Sequence, residues 1–254
     1  DNLQLEGLRP DRLPVLPGGF AIMWAVFQEL GLERMTFSEG ALRLGVLYDL
    51  LGRYHHHDLR DATVSAFVER YGVDLAHARQ VADTARAFLL QIDPAAADNE
   101  SIDRRFLEWA ALLHEAGVSV AHSSYHKHSA YILGNADMPG FSRMDQGRLA
   151  RIVLAHRGKL ARVGGLDPES AEWRLILCLR LAVVVHRARD GRGVPPLRLK
   201  REGRGYVAVA DNDWLRNLPL TASALEEEER QWQAIGQPLK LRVERTPARS
   251  PAGA

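Results

Sequence analysis

Between residues 60 and 190 the apolar positions recur at helical spacing, and the pattern predicts six helices joined by short loops. Asp61 to Tyr71 makes the first, closed by Gly72. Asp74 caps the next, whose inner face carries Val81, Ala85, Phe88 and Leu89. Phe106, Trp109, Ala110 and Leu113 define a third, which stops at Gly117. A fourth covers roughly 120–133. Ser142-Arg-Met-Asp145 reads as a capping box for a fifth, with Leu149, Ile152, Val153 and His156 on one side. Asp167-Pro168 opens a sixth, which runs through Leu175, Cys178, Leu179, Ala182 and Val183 to His186. Antiparallel helices with short loops form a compact bundle.

The two ends of the chain read differently. Residues 1–17 suggest a connection and the end of a strand, Leu13-Pro-Val-Leu-Pro17. Gly18-Gly19 then opens a helix with Ile22, Val26, Phe27 and Leu30 at helical spacing, stopped by Gly31. Ser38 caps another, with Leu42, Val46, Leu47 and Leu50 inside and Gly52 at its end. A strand, a Gly-Gly turn and a helix can present backbone N–H groups to a phosphate; an ordinary tight turn explains the same pair. Toward the C-terminus, Leu197-Arg-Leu-Lys200 and Tyr206-Val-Ala-Val209 alternate as strands around the turn Glu202-Gly-Arg-Gly205. Ser223-Ala-Leu-Glu226 reads as a second capping box, for a helix carrying Leu225, Trp232 and Ile235. Glu226 to Glu229 reads as a solvated face near the positive end of that helix dipole. Leu239 to Val243 is a third strand. The expected class is mainly α: a separate segment 1–50, a helical bundle 51–190, a small α+β module 191–245 and a disordered Pro/Ala/Gly-rich tail 246–254.

Composition narrows the picture. The chain has 254 residues, 46% of them hydrophobic, enough for a sizeable core. Its single cysteine, Cys178, excludes an internal disulfide framework and lies on an apolar face as an inert thiol. No apolar run approaches the roughly 18 residues of a membrane span. The start is not a signal peptide. A cytoplasmic protein with no membrane and no nucleic-acid partner is expected.

The net charge is only +1, yet residues 114–159 hold five of the ten histidines and six Lys/Arg against three acids. Such a window suits a metal ion or a chain of phosphates. Helical spacing puts His122 and His126 on one face with Tyr125 and Ser129. His114-Glu115 ends the preceding helix, and His156, Arg157 and Lys159 end the following one, so three helices address one groove. Lys127, Arg157 and Lys159 with His126 and His128 favour an anion site over a solvated face. His114 and His156 also read as core histidines bonded to carbonyls. His77, His114-Glu115, His122 and His128 together resemble the HD-domain phosphohydrolases, in which a histidine, a His-Asp pair and a late aspartate hold a divalent ion that activates water. Here Glu115 replaces the aspartate of the pair, and Arg180 stands where the late carboxylate belongs. A cation there disfavours a divalent ion. The expectation is an HD-like scaffold without metal, with His77, His114 and Glu115 as the residual metal alternative. Tyr54-His-His-His-Asp58 reads as a hinge with exposed histidines rather than a metal tract.

Several segments carry a further resemblance: Leu16-Pro-Gly-Gly-Phe-Ala-Ile22, Ser38 to Tyr48, Asp49-Leu-Leu-Gly-Arg53, His114-Glu-Ala-Gly117, His128-Ser-Ala-Tyr-Ile-Leu133, Pro139-Gly-Phe-Ser142 and His156-Arg-Gly-Lys159. Over roughly residues 1–245 the chain resembles the C-terminal half of the exopolyphosphatase / guanosine pentaphosphate phosphohydrolase family, closer to the exopolyphosphatase branch. The resemblance implies that residues 1–50 are the last piece of an actin-like ATPase-fold domain, with Gly18 and Gly19 near its ligand cleft. It implies that 51–190 is an HD-like helical domain and 191–245 a small C-terminal module. Members of the family remove terminal phosphates from polyphosphate with Mg²⁺, some cleave guanosine pentaphosphate, and they are cytoplasmic and usually dimeric. Their glycine-rich phosphate loops and catalytic glutamate lie upstream, and nothing here matches them. The resemblance therefore implies no catalytic residue and no cofactor for this chain alone. The chain would instead hold inorganic polyphosphate and support a homodimer, with N-terminal catalytic domains of the same polypeptide cutting the bond. The candidate track is His114, His122, His126, Lys127, His128, His156, Arg157 and Lys159, with Lys200 and Arg201 as outer guides. A polymer with about one charge per phosphate needs such an extended track, so binding is expected to weaken with salt and strengthen as pH falls through the histidine range. The alternatives are an HD-type metal-dependent phosphohydrolase and a guanosine pentaphosphate-binding module.

Overall fold

Polar caps and proline positions set most of the helix starts. In a computed structural model, the described residues are 10–35, 58–98, 101–163, 166–167, 170–189 and 195–244. They divide between two compact units, Asp1–Leu50 and Leu51–Ala254.

In the first unit a 3₁₀ turn, Pro10–Val15, runs directly into α1, Leu16–Leu30. The strand expected over residues 13–17 is therefore absent. Prolines fix φ near the helical value, so Pro14 and Pro17 fit a first helical turn better than a sheet. Gly18 and Gly19 lie inside α1, exposed, and form no turn. Gly31 ends the helix with φ 60, as its sequence position predicts. The stretch Asp11–Leu30 is long and apolar enough to cross a membrane by length and composition, which corrects the expectation that no run reaches that length. None of it is buried. The predicted helix from Ser38, the tract His55-His56-His57 and the tail 246–254 fall outside the described residues.

The second unit opens with α2, Leu59–Arg70, capped by Asp58, and α3, Leu75–Ile92, capped by Asp74. Then come α4, Ile102–Leu113, α5, Tyr125–Asn135, and α6, Arg143–Ala155. The reciprocal Ser142–Asp145 capping box predicted for α6 is present in full. α5 begins five residues later than expected, because Ala116–Ser119 forms a 3₁₀ turn and Ser124 takes a left-handed backbone at φ 56. α7, Glu172–Val185, buries Trp173 and every residue from Leu175 to Ala182, so it is the central helix rather than an amphipathic surface one.

The chain closes with β1, Leu197–Glu202, β2, Gly205–Asp211, α8, Asn212–Arg216, α9, Pro219–Ala234, and β3, Leu239–Glu244. β1 and β2 form an antiparallel hairpin in which Leu197 faces Ala210 and Glu202 faces Gly205. β3 pairs in parallel with β2, Tyr206 opposite Leu239. A parallel pair needs a crossover, and α8 with α9 supplies it. α9 starts at Pro219, so Ser223 sits inside the helix and the second capping box is not one. Proline at the first helical turn is the signal that prevailed. The sheet and the bundle share one core. Trp232 of α9 meets Trp173 of α7 edge-on at 5.8 Å, and the Leu199 amide donates to Gln91 of α3 at 2.6 Å. The described residues are thus mainly helical with one small three-stranded sheet.

Candidate functional site

A glycine positions the central imidazole. After α4 the chain folds back so tightly onto α5 that a Cβ at Gly117 would lie 2.3 Å from both the Ser129 amide nitrogen and the Tyr125 carbonyl. The Gly117 N–H donates to Ser129 Oγ, and that hydroxyl donates to the His114 carbonyl, both at 2.8 Å. His114 and Glu115 are thereby held beside the start of α5.

Four imidazoles follow one another from there. His77 of α3 lies 6.1 Å from His114, His114 meets His156 edge-on at 5.2 Å, and His126 of α5 stands 6.2 Å from His156. His114 Nδ1 donates to the Ala111 carbonyl at 2.6 Å, and His156 Nδ1 to the Val153 carbonyl at 2.5 Å. A carbonyl only accepts, so each proton sits on Nδ1 and each Nε2 presents a bare lone pair. These are the carbonyl-bonded core histidines that the sequence allowed. Yet His77 Nδ1, His114 Nε2, His126 Nδ1 and His156 Nε2 are all buried with no hydrogen-bond partner. Burial pushes His114 down to about 4, and burial with the neighbouring His114 holds His156 well below the ordinary imidazole range. Burial and then Arg189 lower His77; burial and then Arg157 lower His126.

Beside this row runs a cleft of about 600 Å³ between the bundle and α9. His77, Glu115, His122, Tyr125 and His156 line one wall, and Glu227, Arg230 and Gln231 of α9 the other. Its floor is Arg180, buried within α7. The Arg180 guanidinium grips both oxygens of Glu228 at 2.6 Å and donates to the carbonyls of Ala155 and Gly158. Glu228 is therefore buried, against the expectation of a solvated acidic face. Arg189 clasps Glu115 at 2.5 and 2.6 Å and reaches Asp74 at 3.0 Å. Arg230 pairs with Glu227. That leaves Arg157, whose guanidinium lies 5.1 Å over the Tyr125 ring, and Arg187. Both line the cleft, exposed, with no carboxylate partner among the described residues.

The sequence candidates separate accordingly. His114, His126, His156, Arg157 and the exposed His122 gather in or behind the cleft. His122 precedes α5, so it does not share a helical face with His126. Glu227 is lowered first by its hydrogen bond from Arg230 and only last by the charge of Lys159, which is exposed. Lys127 is exposed on α5, and His128 packs its Cβ toward Gly117. Arg201 lines a different cleft of about 320 Å³, with Arg174, Arg204, Trp173 and Tyr206, while Lys200 is exposed and lines neither. Gly18 and Gly19 belong to the other unit. Arg187, Arg189 and Arg230 escaped the sequence reading. The pair Arg187-Ala-Arg189, directly after an apolar helix, was the available signal.

The buried imidazoles reverse one expectation. His114 and His156 stay neutral through mild acidification, so they do not strengthen anion binding there. They govern stability instead. His114 titrates near 4 when folded and near 6.5 when exposed, so the unfolded chain takes its proton first. Stability present above pH 6.5 is expected to fall as pH drops toward 4, by up to about 1.4 kcal/mol per pH unit for each such imidazole. Urea unfolding of chelator-treated protein across that range checks this, and a flat profile contradicts it.

A model described as Ppx/GppA phosphatase, domain III, matches residues 59–229, and one described as Ppx/GppA phosphatase family matches residues 1–54. The chain is similar to the guanosine-5'-triphosphate,3'-diphosphate pyrophosphatase of Aeromonas hydrophila, 37% identical over 246 residues, which is 95% of this chain and 49% of that protein. It is similar to the protein of the same name in Pseudoalteromonas translucida, 34% identical over 238 residues, 92% of this chain and 48% of that one. It is likewise similar to that of Vibrio cholerae, 34% identical over 244 residues, 95% of this chain and 49% of that one. The chain spans about half the length of these curated relatives.

Proposed function

Because the chain belongs to the Ppx/GppA phosphatase family, we propose that it is the C-terminal part of such a phosphatase and binds the phosphate groups of its substrate in the cleft between the bundle and α9. Hydrolysis then belongs to domains outside this chain. The observation that carries the reading is the pair Arg157 and Arg187, two exposed guanidiniums in one cleft with no carboxylate on either among the described residues. Guanidinium forks suit phosphate oxygens geometrically, and each charged contact contributes about 1.5–3 kcal/mol.

The relatives' name favours guanosine-5'-triphosphate,3'-diphosphate as the ligand. Inorganic polyphosphate is the second reading, supported by the second basic cleft. Arg174 of α7 lines the second cleft and Arg180, Val183 and Val184 line the first, so the helical rise sets these lining residues about 9–15 Å apart along the axis. A long polyanion bridges that distance.

Calorimetric titration with each ligand tests both readings. Arg157→Ala with Arg187→Ala is expected to weaken either ligand by about 100-fold or more, and affinity should fall steeply with salt. Arg201→Ala with Arg204→Ala should weaken long-chain polyphosphate while sparing the nucleotide. An affinity independent of salt would refute the cleft. Phosphate release by this chain alone should be negligible with either substrate and Mg²⁺. Mg²⁺ prefers six oxygen donors, whereas the nearest donor group here is two imidazoles and one carboxylate, so no hydrolytic step is assigned to it.

The all-round apolar helix α1 suits a core helix of the actin-like domain that the family resemblance implies. The same proposal includes a cytoplasmic homodimer, which light scattering of the purified chain checks.

A further inference from the structure

Besides Arg157 and Arg187, the cleft wall and the core behind it hold a donor set whose two imidazoles each keep a nitrogen that neither the phosphate reading nor the hydrogen bonds use. One donor atom each from His77, His114 and Glu115 lies within 4.8 Å of the others. Two of the three are imidazoles with a buried, unpartnered nitrogen, His77 Nδ1 and His114 Nε2. A bare lone pair buried without a donor forfeits its hydration, which proteins tolerate where something else fills the place.

The surroundings prepare these groups as ligands. The Ala111 carbonyl takes the Nδ1 proton of His114 and so fixes its ring with Nε2 free. Arg189 holds the Glu115 carboxylate in place, as outer-shell donors do for ligating carboxylates. Local charge also suits a cation. Glu115 and Asp74 carry two negative charges against the one of Arg189. The cation that argued against an ion, Arg180, is neutralised by Glu228 and turned to the carbonyls of Ala155 and Gly158.

We propose that His77, His114 and Glu115 bind one divalent transition-metal ion of the zinc type, leaving one coordination position open toward the cleft. Two nitrogens and one oxygen match the borderline-soft ions, and three protein ligands leave a tetrahedral ion one site for an exchangeable ligand. His77 and Glu115 line the cleft, so that site faces the space assigned to phosphate oxygens. The assignment rests on the donor geometry and stands whether or not the phosphate reading does.

The test uses metal alone. The full chain, carrying His55→Ala, His56→Ala and His57→Ala to remove the histidine tract, is stripped with chelator and titrated with Zn²⁺ by calorimetry and with Co²⁺ by its d–d absorption. One ion per chain is expected, with the intense spectrum of a four-coordinate Co²⁺ site. His77→Ala and Glu115→Gln should each weaken binding at least about 10-fold, the scale seen even for outer-shell changes. Glu69→Gln, altering an exposed carboxylate of α2 that lines neither cleft, should leave it unchanged. Melting curves of the metal-free variants establish that they are folded. Absence of saturable binding, affinity unchanged in the His77 and Glu115 variants, or loss in the Glu69 variant would overturn the assignment. Polyphosphate or nucleotide binding measured in chelator reports on the phosphate reading separately.

Discussion

Replacing Arg180 with alanine is expected to destabilise the protein by about 3–5 kcal/mol. The guanidinium and the Glu228 carboxylate are both buried, joined by two 2.6 Å hydrogen bonds. Removing one partner strands the other charge in the core. It also strips the acceptors at the end of α6, where the carbonyls of Ala155 and Gly158 lose their donor, and leaves Trp232 Nε1 bonded to an uncompensated carboxylate. Glu228→Ala should cost a similar amount. The double variant Arg180→Ala, Glu228→Ala should cost much less than the two single losses together, because no lone charge remains. Urea unfolding of the four proteins measures this as a thermodynamic cycle. Additive losses would show that the pair is not coupled. Because Arg180 is the cleft floor and Glu228 lies on α9, the single variants should also weaken phosphate binding.

Gly117→Ala is expected to cost about 3 kcal/mol or more, beyond the usual range for overpacking. The added methyl would meet Ser129 N and Tyr125 O at 2.3 Å, and both are backbone atoms of α5 that no rotamer change can withdraw. The turn would have to lift, breaking the links from Gly117 to Ser129 and from Ser129 to the His114 carbonyl. Gly134→Ala is the matched control. It lies in α5 with Ala150 Cβ as the nearest atom at 3.7 Å, so helix propensity should make it neutral or stabilising by up to about 1 kcal/mol. Thermal melts of the two variants, with near-ultraviolet circular dichroism to follow the packing around Tyr125, decide the matter. Similar stabilities would remove Gly117 from the account of how the site is positioned.

Local signals carried far into the fold where one short-range rule governed the outcome. Asp74 and the Ser142–Asp145 box cap their helices, Gly31 ends α1, and the strands near Leu197, Tyr206 and Leu239 form. Errors arose where two local rules competed. Ser223 looked like a cap, but Pro219 had already begun the helix. Leu13 to Pro17 looked extended, but its prolines suit a first helical turn equally well. His122 and His126 have helical spacing, yet the left-handed Ser124 separates them.

By itself the sequence determined a mainly helical chain, a small terminal sheet, the family and the concentration of histidine, lysine and arginine between residues 114 and 159. Periodicity, capping and composition are properties of neighbouring residues, so they can be read along the chain. Only the tertiary structure decided what each charge does. Arg180 and Glu228 lie 48 positions apart and Arg189 and Glu115 lie 74 apart, and no local pattern pairs them. Burial, which sets whether an imidazole is a cation or a neutral lone-pair donor, depends on all the helices packed around it. Among the described arginines that line the larger cleft, the same packing separates Arg180, Arg189 and Arg230, each paired with a carboxylate, from Arg157 and Arg187, which are not.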